Sequence, residues 1–81
     1  MNIDATNLYD INDISDAMVE KTIKEVYDAL EERGYKAINQ LVGYLISGDL
    51  GYISSYKDSR KKIRRLDRSK IIEILLKKYI K

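Results

Sequence analysis

Two constellations in this chain have residue types and spacing that could do chemistry. The first is Thr6, in Asp4-Ala5-Thr6-Asn7-Leu8-Tyr9. In a polar stretch of this kind a kinase can extend the backbone into its cleft, and a phosphate on the hydroxyl would add roughly −1.5 to −2 charge. The second is the basic segment from Lys57 to Lys70, in which Arg60, Arg64 and Arg68 recur every four residues. If one helix ran through it, those three guanidinium groups would line one face. Three readings stay open for that face. It can pair with acidic residues of the same chain or of a second subunit, dock an anion or acidic partner, or neutralise nucleic-acid phosphates with Tyr52 and Tyr56 stacking on bases.

Other chemistries are disfavoured by what the chain lacks. With no Cys and no His among 81 residues there is no disulfide, thiolate metal site or cysteine nucleophile, and the commonest general base and metal ligand is missing. Glu31 and Glu32 are adjacent, so on a helix their side chains diverge by about 100° and make a poor acid/base pair. No glycine-rich phosphate loop follows a strand and no calcium-loop spacing occurs. The expectation is a non-enzymatic protein without cofactor or metal.

Charge is distributed unevenly along the sequence. Residues 1–56 hold ten acids and four bases, a balance of −6, while residues 57–81 hold eleven bases and three acids, a balance of +8; the net +2 averages these opposites. Such a split draws the two halves together, within a fold or across a dimer. The longest run of apolar residues and Gly, Leu41 to Ile46, is far below the roughly 18 residues that cross a bilayer. No signal-peptide pattern opens the chain. A soluble, cytoplasmic protein without membrane insertion is expected.

The elements that must position these groups read as helices. Residues 1–14 are rich in Asn and Asp and are expected to form a flexible N-terminal arm, with residues 15–81 as a single helical domain. Val19, Ile23, Val26, Tyr27 and Leu30 recur at helical steps from about Asp16 to Arg33, with Ser15 or Asp16 as N-cap and Gly34 as left-handed stop. A second helix is predicted over Ala37–Ser47, with Ile38, Leu41, Val42 and Leu45 inward and Gly48 as its end. Gly43 within it implies close packing or mere tolerance. After a turn-rich connector, a basic helix is predicted over Lys57–Leu66. A last helix follows Ser69, with Ile71, Ile72, Leu75, Leu76, Tyr79 and Ile80 on a wide apolar face. The fold class is all-α, a compact domain of about four helices. So short a chain buries only roughly 60% of its unfolded surface, and the apolar excess on the last helix predicts a homodimer.

Several of these stretches carry a resemblance. Val26 to Tyr35, then Ile38 to Asp49, Tyr52-Ile53, Asp58-Ser59-Arg60, Ile63-Arg64 and Arg68 together resemble the IreB-type family of small bacterial regulatory phosphoproteins, from Thr6 to the end. The resemblance implies a compact helical cytoplasmic homodimer without enzymatic activity. It implies phosphorylation by a transmembrane Ser/Thr kinase bearing extracellular PASTA repeats, reversal by a cognate phosphatase, and a role in cell-wall stress and in restraining cephalosporin resistance. Thr6 falls on the family's acceptor position. The chain departs from the family pattern at Ala5, where an acid is usual, and at Ile3, where some members carry a second Thr. Ala37 and Leu50 stand where prolines are common, and Ser54-Ser55 where the pair is more basic. From the charge split, the acidic arm with Asp4, Asp10 and Asp13 is expected to lie near Arg60, Arg64 and Arg68, a docking that phosphate on Thr6 would strengthen or redirect.

Overall fold

The computed structural model describes the backbone of residues 3–81 and the side chains of residues 16–81. The expected arm over residues 1–14, Thr6 included, thus lies outside the residues whose side chains are described. Four helices are present: α1 (Ile3–Glu32), α2 (Ala37–Ser47), α3 (Ser59–Arg64) and α4 (Arg68–Ile80), with two short 3-10 turns at Leu50–Tyr52 and Tyr56–Asp58 between α2 and α3. α1 begins at Ile3 rather than near Asp16, so the backbone of residues 3–14, expected as an arm, is its first part, and neither Ser15 nor Asp16 caps it.

Val19, Val26 and Leu30 form the inner stripe of α1, as their seven- and four-residue spacing requires, with Ile23 packed beside them. They meet Ala37, Leu41 and Tyr44 of α2, Ile53 of the connector, Ile63 of α3, and Ile71 and Ile74 of α4 in one core. α1 ends where Gly34 turns left-handed, at φ 88°. Its N–H donates to the Glu31 carbonyl and the Tyr35 N–H to the Leu30 carbonyl, both at 2.9 Å, which is the Schellman arrangement that satisfies orphan carbonyls at a helix end.

α2 has the predicted bounds, and Gly48 ends it at φ 77°, its N–H donating to Tyr44 at 2.7 Å. Its inner face differs from the predicted one. Ala37, Leu41 and Tyr44 are buried, with Leu45 packed against the core, whereas Ile38 and Val42 are exposed. Two apolar stripes share this helix, and the core takes only one of them. Gly43 has a packing reason: the Tyr52 ring lies on it, and a Cβ there would stand 2.8 Å from Tyr52 Cε1.

Candidate functional site

The basic segment is not one helix. α3 stops at Arg64, and Asp67, in extended conformation, precedes α4, whose first residue is Arg68; Ser69, the expected cap, sits inside. Arg60, Arg64 and Arg68 therefore do not share a face. Arg60 Nε donates to the Ile53 carbonyl and ties α3 to the connector. Arg68 Nη1 donates to the Leu45 carbonyl at 3.1 Å, placing a cation at the C-terminal end of α2, where unsatisfied carbonyls concentrate negative charge. Arg64 alone of the three is exposed with no hydrogen bond to a described residue.

Lysines make the pairing with the acidic first helix that was expected of these arginines. Lys70 lies 3.2 Å from Asp16, Lys78 3.3 Å from Glu20, Lys62 3.8 Å from Glu25 and Lys57 2.8 Å from Glu32. These pairs join α1 to α4, to α3 and to the connector. All are partly solvated, so each contributes little alone, but together they account for much of the opposed charge.

The Glu32 end is the most elaborate. Its carboxylate accepts from Lys57 Nζ and, at 3.4 Å, from the Tyr56 hydroxyl. The hydrogen bond from Lys57, together with its charge, holds the Glu32 carboxyl below its ordinary value; the same bond holds Lys57 above its own. Arg33 and Lys57 each lie 5.6 Å from the centre of the Tyr56 ring. Lys57 and Asp58 both adopt left-handed backbone, at φ 52° and 61°. The fully buried Ser59 hydroxyl, donating to the Tyr56 carbonyl at 2.7 Å, closes that turn. Glu31, diverging from Glu32 as its spacing requires, instead accepts from the Ala37 N–H at 3.3 Å, at the start of α2. The two glutamates thus tie α1 to the start of α2 and to the connector.

Tyr52 and Tyr56, considered as stacking platforms for bases, are engaged with Gly43 and with Arg33 and Lys57. Cations without a carboxylate partner among the described residues cluster instead on α3 and its C-cap: Lys61, Arg64 and Arg65 are exposed and, with Lys62 and Asp58, line a shallow groove of about 320 Å³.

A second surface is apolar. α4 buries Ile71 and Ile74, leaving Ile72, Leu75, Leu76, Tyr79 and Ile80 exposed, Tyr79 at 90%. Between α1, α2 and α4 runs another groove of about 320 Å³, whose walls include Ile23, Tyr27, Ile38, Val42 and Leu75. The exposed apolar residues of α4 adjoin this groove through Leu75.

Among the described residues no cluster of three or more acidic side chains is arranged to hold a metal ion, and no helix is long and apolar enough to cross a membrane. The described residues define a small all-helical fold with a basic groove beside α3, an apolar face on α4 and ion pairs along α1. The chain belongs to the IreB regulatory phosphoprotein family, whose sequence pattern matches residues 4–81. A regulatory phosphoprotein implies a kinase partner, and the match spans Thr6.

Proposed function

We propose that the chain is a non-enzymatic cytoplasmic regulator, phosphorylated on Thr6 by a transmembrane Ser/Thr kinase with PASTA repeats and returned to its resting form by the cognate phosphatase. In this reading it acts in the cell-envelope stress response and restrains resistance to cephalosporins. The observation that carries it is the family match over residues 4–81, which includes Thr6 in its polar setting. The working form is a homodimer, supported by the uncovered apolar residues of α4 and the adjoining groove. Burying such side chains against a second copy stabilises by about 25 cal/mol per Å² of apolar surface removed from water, before the cost of association.

The alternative, nucleic-acid binding through residues 57–70, has less charge to draw on than the sequence suggested. Lys57, Lys62 and Lys70 lie beside carboxylates, and Arg60 and Arg68 donate to backbone carbonyls.

The regulatory reading is tested in the source bacterium by replacing the gene with Thr6→Ala and by deleting it, then measuring growth in graded cephalosporin. Deletion is expected to raise resistance, and Thr6→Ala to shift it relative to wild type. Identical growth of all three strains would remove the proposed role.

A further inference from the structure

The α3 groove has features that the charge split alone did not reveal. Its lining carries Lys61, Lys62, Arg64 and Arg65 against Asp58, four cations less one carboxylate, or +3. Discounting Lys62, which lies 3.8 Å from Glu25, leaves +2. That balances a phosphate monoester, which carries about −1.5 to −2 at neutral pH. Guanidinium groups suit its oxygens, because their planar donors can meet two at once.

Position points to an occupant. Arg65 shares a neighbouring cleft with Met18, Val19 and Thr22, at the start of the described side chains of α1. Asp16 itself is held by Lys70 of α4 at 3.2 Å. The residues preceding Asp16 include Asp4, Asp10 and Asp13 and no base. Thr6 stands ten positions before Asp16 within α1, where ten residues rise about 15 Å; for its phosphate to turn back to the groove that stretch must leave the helix, and unwound it spans up to roughly 33 Å. The groove is within that reach.

We propose that the groove of Lys61, Arg64 and Arg65 is the docking site for the phosphate of phosphorylated Thr6, borne by this protein's own acidic N-terminal segment. The proposal rests on the phosphoprotein reading above. It moves the docking surface away from Arg60 and Arg68, each of which has one guanidinium nitrogen tied to a backbone carbonyl, of Ile53 and of Leu45. Phosphorylation then covers the α3 groove and withdraws it from any other acidic partner.

A synthetic peptide of residues 1–14 with phosphate on Thr6 tests this, titrated into the isotope-labelled full chain at low and physiological salt. Because the phosphate is placed by synthesis, the outcome does not depend on whether a kinase places it in the cell. Amide shifts should centre on residues 58–66, and affinity should exceed that of the unphosphorylated peptide by about tenfold. The double variant Arg64→Gln/Arg65→Gln should lose about tenfold, while Lys21→Gln/Lys36→Gln, at exposed lysines on other elements, should bind as wild type. Equal binding of the two peptides, undiminished binding by the Arg64/Arg65 variant, or shifts centred elsewhere would overturn the assignment. So would a single-stranded oligonucleotide that binds the same amides more tightly than the phosphopeptide.

Discussion

The guanidinium of Arg68, the first residue of α4, lies over the α-carbon of Gly48 and donates to the Leu45 carbonyl at 3.1 Å. One side chain thus closes the C-terminal end of α2 and fixes where α4 begins. A Cβ on Gly48 would stand 2.8 Å from Arg68 Cζ, and at φ 77° any side chain there is also strained.

Arg68→Ala is accordingly expected to cost about 1–2 kcal/mol through the lost charged donor at the helix end. Gly48→Ala should cost a similar amount, about 1–2 kcal/mol, from left-handed strain and the collision. The two effects should not add, because removing Arg68 removes the collision. Urea denaturation of both single variants and the double variant measures the coupling; simple additivity would mean that the two residues do not touch in solution.

The Glu32–Lys57 pair sets a pH dependence with a definite sign. Glu32 is held below its ordinary value of 4.5, so its contribution is complete above that pH and is lost as pH falls through the lower folded value. Lys57 is held above 10.5, so its contribution is complete below that pH and is lost as pH rises through the higher folded value. The pair is solvent-exposed and screened by salt. Carbon-detected titration of the Glu32 carboxyl should give a depressed midpoint in wild type and a return toward 4.5 in Lys57→Gln. An unchanged midpoint would show that Lys57 is not its partner.

For the homodimer, Leu75→Glu is the informative change, since Leu75 is 44% exposed and lines the apolar groove. It should leave helix content intact while converting a species of twice 9.4 kDa to one of 9.4 kDa in sedimentation at tens of micromolar. Wild type sedimenting at 9.4 kDa under those conditions would contradict the dimer.

Much of this architecture could be read from the chain, and the failures have physical causes. α2 was legible to the residue because Gly48 is an unambiguous left-handed stop. Its inner face was not, because Ile38 and Val42 belong to an outer stripe as apolar as the inner one, and periodicity does not say which stripe the core takes. The break between α3 and α4 was legible, one helix being predicted to end at Leu66 and the next to follow Ser69; only the cap was misplaced, because Asp67 and Ser69 are both N-cap residue types and Asp67 takes the position. The left-handed turn at Lys57 and Asp58 carries no glycine to announce it. It is held by the buried Ser59, whose hydroxyl reaches the Tyr56 carbonyl three residues back, a local bond that serine's commonness in turns does not single out. In the site, the cations were legible, but their division between internal ties and open surface depended on which carbonyls lay beside Arg60 and Arg68.

The central claim is that this is a phosphoprotein switched at Thr6. Site-localised mass spectrometry of the N-terminal peptide, from protein isolated from its own cells with and without a cell-wall-targeting antibiotic, tests it most directly. The account predicts a single phosphate on Thr6 whose occupancy changes with treatment. An N-terminal peptide recovered in full yet unphosphorylated under both conditions, or phosphate confined to other residues, would contradict it.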